Sequence, residues 1–139
     1  MQITSNTYAK KMHFTAITPA GAMERTVYIY LVTGKNTSCL IDTGVFHGFD
    51  DVMGFIKDSG KTAEEIGEIL ISHPHVDHIG ALKDLKENLN CPAATSSASA
   101  EWIENIDEQF KQRPVPNFYD FVKESTEIER TIEGGDIIE

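Results

Sequence analysis

Cysteine is scarce in this sequence of 139 residues, which contains only two. Cys39 lies in an apolar run and Cys91 precedes a proline, so the two form neither a disulfide framework nor a thiolate zinc site of the usual spacing. A reducing compartment is therefore expected. No apolar stretch approaches the roughly 20 residues of a membrane-spanning helix, and no basic segment followed by an apolar one suggests a secretory signal. We expect a cytoplasmic protein without a membrane partner.

Basic residues are also few. The sequence has 12 lysines and arginines against 22 aspartates and glutamates, which gives a net charge of -10. This balance would repel nucleic-acid phosphates, so nucleic acid is not expected as a partner. Solubility alone accounts for the acidity, although an acidic chain with clustered histidines also suits cations. Because 40% of the residues are hydrophobic, the chain can build a core, and we expect a single domain over residues 1–139.

Strand and helix patterns follow one another along the chain. Extended, β-branched or apolar runs predict five strands, at residues 8–18, 26–33, 38–42, 69–71 and 92–95. Helical spacing of apolar residues predicts three helices, at residues 49–59, 81–89 and 99–110. Beyond residue 116 the pattern predicts a helix or loop followed by a hairpin. Because regular βαβ repeats are missing, the predicted fold class is α/β or α+β with a mixed sheet.

Three of the five histidines lie in one short segment, which reads His73-Pro74-His75-Val76-Asp77-His78. Residues i and i+2 of an extended backbone project to the same side, so His73 and His75 can converge on one cation. Pro74 supports that extended backbone, because it disfavours helical geometry in the residue before it. The chain can then turn and bring Asp77 and His78 to a second position nearby. Imidazole nitrogens and carboxylate oxygens are normal zinc ligands, so the segment predicts a metal site rather than solvated loop histidines.

This motif and its flanking segments resemble the metallo-β-lactamase superfamily. The resemblance includes the earlier segment Leu40-Ile41-Asp42-Thr43-Gly44 and the apolar strand that leads into the histidines. Within the superfamily, the sequence is most similar to the metallo-hydrolase branch around hydroxyacylglutathione hydrolase, or glyoxalase II. The implied fold is the N-terminal part of an αβ/βα sandwich, with a mixed, mainly antiparallel sheet and helices on one face.

The resemblance also implies a site and a reaction. Two divalent metal ions are expected, zinc by preference and iron or manganese as alternatives. His73 and His75 would bind the first ion, and Asp77 and His78 the second, with Asp77 also orienting the attacking water as the catalytic residue. Asp42 would lie beside the site and position the metal-binding loop, unless it only ends its strand. A metal-bound hydroxide would then hydrolyse a small ester, thioester, lactone or amide.

The family takes further metal ligands from the second half of its sandwich, and here no histidine follows His78. Asp136 lacks the surrounding motif of the family's bridging aspartate. We therefore expect a domain that is C-terminally incomplete relative to the family and binds metal weakly alone. It would belong to a longer enzyme or form a homo-oligomer through an uncovered sheet face. The alternative is a catalytically incomplete domain that acts as an interaction or assembly module.

Two other enzyme classes share this motif. Flavodiiron reductases typically have glutamate where this sequence has His75, which disfavours that class. Phosphodiesterases and nucleases act on polyanions, and the net charge of -10 disfavours such substrates. A small-molecule substrate is the preferred prediction.

Overall fold

Two long strands open the chain and pair as a hairpin. In the computed structural model, which describes residues 1–138, β1 (Thr7–Thr18) and β2 (Gly21–Thr33) are antiparallel along their whole length. Gly21 has a φ of +110°, a conformation that glycine adopts at no steric cost, and it allows the tight turn between them. The predicted strand at 8–18 is confirmed. The strand predicted at 26–33 begins five residues earlier, at Gly21, because the ladder with β1 extends it.

Four shorter strands complete the sheet: β3 (Ser38–Ile41), β4 (Ile66–Leu70), β5 (Ala93–Thr95) and β6 (Arg130–Thr131). The spatial order is β1-β2-β3-β4-β5-β6. β3 is antiparallel to β2, whereas β4, β5 and β6 each run parallel to the preceding strand. The mixed sheet confirms the predicted fold class, and the two antiparallel ladders contain most of its paired residues.

The predicted C-terminal hairpin is wrong. β6 pairs in parallel with β5 instead of with a neighbouring segment of the chain end. Side chains hold it there, because Glu129 accepts a hydrogen bond from the backbone N–H of Ala93 at 2.7 Å. Arg130 also donates to Glu68 of β4. The two glycines at 134 and 135 do form a turn, but the long-range polar contacts place the strand before it beside β5.

Within residues 1–138, six α-helices lie between or after the strands: α1 (Phe49–Asp58), α2 (Val76–Ile79), α3 (Leu82–Leu89), α4 (Ser97–Glu104), α5 (Ile106–Gln112) and α6 (Phe118–Phe121). Two short 3₁₀ helices cover Phe46–Gly48 and Ala63–Glu65. The helices predicted at 49–59 and 81–89 are confirmed to within one residue. The helix predicted at 99–110 is two helices, because Asn105 interrupts it. The Asn105 side chain accepts a hydrogen bond from the backbone N–H of Glu108 and so caps α5.

The core lies between the helices and one face of the sheet. Ile29, Leu31, Leu40 and Ile69 project from that face and are completely buried, as is Leu85 of α3. Burying apolar surface of this kind stabilises the fold by roughly 25 cal/mol for each Å² removed from water. Helices therefore cover one sheet face, as predicted. None of the helices within residues 1–138 has both the length and the apolar character that crossing a bilayer requires.

The opposite face of the sheet is only partly covered. The strand register places five apolar side chains on it, which we call the outer sheet face: Tyr28, Tyr30, Val32, Ile41 and Leu70. Tyr28 is 40% exposed, and the other four are partly exposed. Exposed Lys11 pairs with Tyr28 and limits the apolar patch on that side, and a partly exposed apolar patch of this kind is a feature of interaction sites.

Candidate metal centre

The histidine motif leaves the sheet at the end of β4. His75 has an extended backbone, with φ -66° and ψ 145°, immediately before α2 begins. The extended conformation of His75 and the turn after it agree with the sequence prediction. Two contacts fasten the turn to the segment after β3, because Thr43 donates from its hydroxyl to the carbonyl of His78 at 2.8 Å and Gly80 donates from its N–H to Gly44 at 2.8 Å.

The four predicted ligand side chains lie close together. The ring centroid of His73 is 4.5 Å from that of His75 and 4.0 Å from that of His78. Asp77 joins them, since its Oδ2 is 3.7 Å from Nε2 of His78. All four residues are partly exposed. The structure thus brings the three imidazoles and the carboxylate into one cluster that a small molecule can reach.

Asp42 connects both ends of this cluster. Its carboxylate is buried and accepts hydrogen bonds from the backbone N–H of Ser72 at 2.8 Å and from the Ser72 hydroxyl at 2.7 Å. Oδ2 is also 2.8 Å from Nδ1 of His78. Asp42 itself has a φ of +62°, in the left-handed region that aspartate tolerates better than most residues. These contacts fix the residue before the motif and the last residue of it.

Burial and local charges lower the pKa of two motif histidines and raise the pKa of the third. Burial lowers the pKa of His73, and the neighbouring His78 lowers it further. Burial also lowers the pKa of His75, helped by the positive charge of Arg113. For His78, burial acts to lower the pKa, but the hydrogen bond to Asp42 and its negative charge reverse the effect and raise it. At neutral pH, His73 and His75 are therefore neutral and have nitrogen lone pairs available for a cation.

The donor set fits a divalent metal ion by its chemistry. Asp42 engages Nδ1 of His78, and the Ser72 hydroxyl lies 2.9 Å from Nδ1 of His73, which leaves Nε2 of each ring as the potential donor. Imidazoles oriented in this way by a carboxylate or hydroxyl are common around zinc. Nε2 of His75 instead contacts the guanidinium of Arg113. Across residues 1–138, no three histidine, cysteine, aspartate or glutamate side chains stand in an arrangement that would itself hold a metal ion. Metal ligation by these four residues stays a prediction.

A cleft of about 410 Å³ opens beside the cluster. His75, Val76 and Asp77 contribute to its lining, together with residues of the β1–β2 hairpin and of the segment from α5 to α6. Gln109 ties that segment to the motif, because its side-chain N–H₂ donates to the carbonyl of Pro74 at 2.7 Å. The cleft therefore places any bound molecule next to Asp77.

No sequence pattern marks Arg113, Gln109 or Arg25 as parts of this site. Arg113 contacts a histidine 38 positions earlier, and Gln109 contacts Pro74 from 35 positions away. Their only local signal was the amphipathic helix that ends near Arg113. Ser72 was also missed, although it directly precedes the motif and a hydroxyl there can reach a buried carboxylate.

This chain has a mixed sheet, the histidine motif at the end of one strand and an open cleft beside it. Together these features are typical of a metallo-hydrolase fold. The chain belongs to the metallo-beta-lactamase superfamily, whose family model matches residues 22–138. The resemblance predicted from the motif is thereby confirmed.

Curated relatives of different kinds match about half of the chain. The probable cleavage and polyadenylation specificity factor subunit 2 of Drosophila melanogaster is 35% identical over 77 residues, which are 54% of this chain and 10% of that protein. The hydroxyacylglutathione hydrolase of Marinomonas sp. (strain MWYL1) is 36% identical over 67 residues, which are 47% of this chain and 24% of its own length. The chain thus matches a quarter or less of each, and the second supports in part the predicted similarity to the glyoxalase II branch.

Solved structures confirm the fold. A class B3 di-zinc metallo-beta-lactamase from an Alaskan soil metagenome superimposes with a TM-score of 0.70 at 19% sequence identity. The match covers 81% of this chain and 41% of that one. At this identity the likeness concerns the fold alone, and it agrees with the predicted part of the αβ/βα sandwich.

Proposed function

We propose that this chain provides part of the active site of a metal-dependent hydrolase that acts on a small ester, thioester, lactone or amide. The observation that carries the proposal is the cluster of His73, His75, Asp77 and His78 beside an open cleft. Membership of the metallo-beta-lactamase superfamily supports the hydrolytic chemistry. The match to a protein named hydroxyacylglutathione hydrolase supports a small acyl substrate.

Each residue has a defined part in this proposal. His73 and His75, neutral because burial lowers their pKa, would donate nitrogen lone pairs to one cation. His78, oriented by Asp42, would bind a second cation through Nε2, together with Asp77. When bound, two divalent ions such as zinc lower the pKa of water and polarise the scissile carbonyl. Asp77 lines the cleft, so its carboxylate can orient the attacking water and accept its proton.

The proposal includes further ligands from outside this chain. The chain spans 41% of the di-zinc enzyme to which its fold is similar, and 24% of the Marinomonas relative. Two side chains for each cation leave coordination positions open, whereas a zinc site usually has three or four protein ligands. We expect residues of a longer protein or of a second copy to fill these positions.

The experiment is a hydrolysis screen of the zinc-loaded chain against small esters, thioesters, lactones and amides. Asp77→Asn should lower the rate on any accepted substrate by about 10²-fold or more, since removing a positioned acid–base group has effects of this size. Asp58→Asn, at the exposed end of α1, is the matched control and should leave the rate unchanged. Equal rates for Asp77→Asn and the original chain, or equal rates without zinc, would contradict the proposal.

A second candidate function is an interaction module, and the outer sheet face favours it. Tyr28 is 40% exposed at one edge of that face, where a partner could cover it. Zinc binding without turnover of any substrate, when the segment or second copy that completes the metal sites is also present, would favour this alternative.

A further inference from the structure

The cleft beside the motif carries positive charge in an otherwise acidic chain. Arg25 and Arg113 both line the cleft. Arg25 lies on β2, and Arg113 directly follows α5. Within residues 1–138, neither guanidinium forms an ion pair with a carboxylate, and Arg113 contacts only the neutral His75 among the motif residues. Two unneutralised guanidinium groups around one cleft favour an anion, because arginine matches carboxylate geometry with paired hydrogen bonds.

A negative charge in the cleft lining limits how much negative charge a ligand can carry. Asp77 lines the cleft and is the one acidic residue among the described residues that do so. The whole chain has a net charge of -10, which adds long-range repulsion. A singly charged carboxylate therefore fits better than a multiply charged phosphate.

Among residues 1–138, one residue of the cleft lining has a buried hydrogen-bond acceptor without a partner. Gln109 is 2% exposed, and its N–H₂ group donates to Pro74, which leaves Oε1 as an acceptor without a partner in the described part of the chain. Gln109 also lines the cleft. Arg113 directly follows α5, and its backbone N–H donates to the carbonyl of Gln109 at 2.8 Å, so the two residues lie one turn apart at the same cleft. An unpartnered buried acceptor is costly, and a ligand N–H would satisfy it.

The rest of the cleft is apolar. Phe14 and Phe121 pack edge to face with ring centroids 5.3 Å apart, and both line the cleft with Phe118 and Val115. Arg25 lies on the same sheet face, since it pairs with Phe14 in the β1–β2 register. A ligand for this cleft therefore combines a carboxylate, an N–H group and an apolar body.

We propose that the cleft recognises N-acylated apolar amino acids, with Arg113 and Arg25 binding the carboxylate and Gln109 accepting the amide N–H. The inference rests on the proposed function, because it names the substrate class of the same site. Asp77 lines the same cleft, and hydrolysis of such an amide by water would give a carboxylic acid and a free amino acid.

The test uses binding alone, in protein freed of metal on a chelating resin. N-acetyl-phenylalanine should bind about tenfold more tightly than its neutral analogue N-acetyl-phenylalaninamide, as expected for hydrogen bonds to a charged group. Arg113→Gln and Arg25→Gln should each remove most of this preference. The matched control is Lys111→Gln, which removes a positive charge from an exposed residue of α5 that does not line the cleft. It should keep the preference.

A second ligand tests Gln109 without disturbing its contact to Pro74. O-acetyl-phenyllactate replaces the N–H with an ester oxygen and should bind about fivefold more weakly, because it leaves the buried acceptor unsatisfied. Equal affinities for the acid and the amide, an equal loss in Lys111→Gln, or tighter binding of phenyl phosphate would overturn the inference. Because no metal is present, such a failure would leave the hydrolase proposal standing, and absence of turnover would not affect the binding result.

Discussion

Asp42 is the residue whose contacts do most to organise the motif. It is buried, has a left-handed backbone conformation and contacts both Ser72 and His78. Asparagine tolerates the same backbone conformation. Asp42→Asn should therefore preserve the fold while removing the charge that faces His78.

The predicted consequence is a lower pKa for His78 in the metal-free protein. Burial alone lowers that pKa, and the hydrogen bond and charge of Asp42 raise it above the ordinary value of 6.5. NMR titration of the histidine ring should show the decrease in Asp42→Asn, whereas Asp58→Asn should match the original protein. An unchanged His78 pKa in Asp42→Asn would show that the carboxylate is not the cause.

The same shift predicts how stability depends on pH. Because folding raises the pKa of His78, its contribution to stability is fully present below about pH 6.5 and is lost as the pH rises through the folded-state value. In urea unfolding, the original protein should therefore exceed Asp42→Asn in stability by a larger margin at pH 5 than at pH 9. A margin that grows with pH would contradict the assignment.

At the scale of elements, Gly80 decides how closely α2 approaches the segment after β3. A Cβ atom at this position would lie 2.2 Å from the carbonyl oxygen of Phe121 and 2.4 Å from the backbone nitrogen of Phe46. Backbone atoms cannot move aside as a flexible side chain can. Gly80→Ala should lower the free energy of unfolding by about 3 kcal/mol or more, the upper range for overpacking.

Gly54 offers the matched control within α1, because a Cβ there would meet nothing within 4 Å. Gly54→Ala should raise the free energy of unfolding by about 0.5–1 kcal/mol through helix propensity. Urea unfolding followed by circular dichroism measures both variants. If Gly80→Ala proves as stable as the original, the close packing of α2 is not a constraint.

The elements show where local patterns are sufficient and where they are not. β1 and α1 were predicted almost to the residue, since strong alternation or helical spacing coincides with clear end signals. The break at Asn105 was missed because the apolar stripe continues across it, and its cause is a side-chain cap. β6 was missed because its position depends on Glu68 and Ala93, which lie more than 30 residues away along the chain.

The residues of the site also fall into a group that a local pattern predicts and a group that it does not. The four residues from His73 to His78 are close in sequence, so a motif could place them together before any fold was known. Arg25, Gln109 and Arg113 join the cleft only through the hairpin and the packing of α5, which no local pattern specifies.

For the whole molecule, the outer sheet face is the surface at which we expect a partner to bind. We predict that the chain self-associates through it, with an elution volume in gel filtration that decreases as protein concentration rises. Tyr28→Lys should suppress this change, because it replaces the most exposed apolar side chain of that face with a charged one. Tyr119→Lys is the matched control, since Tyr119 is also 40% exposed but lies on α6. A monomer at all concentrations would contradict the prediction.

Cobalt titration of the metal-free chain tests the convergence of the histidine cluster on a cation most directly. We expect a saturable visible absorption band, with the affinity for cobalt reduced about tenfold or more in His73→Ala, His75→Ala and His78→Ala. His13→Ala should bind cobalt as tightly as the original protein. His13 is exposed and lies on the outer side of the sheet, where it pairs with Thr26 of β2. Absence of the band, or equal affinity in all four variants, would contradict the central claim.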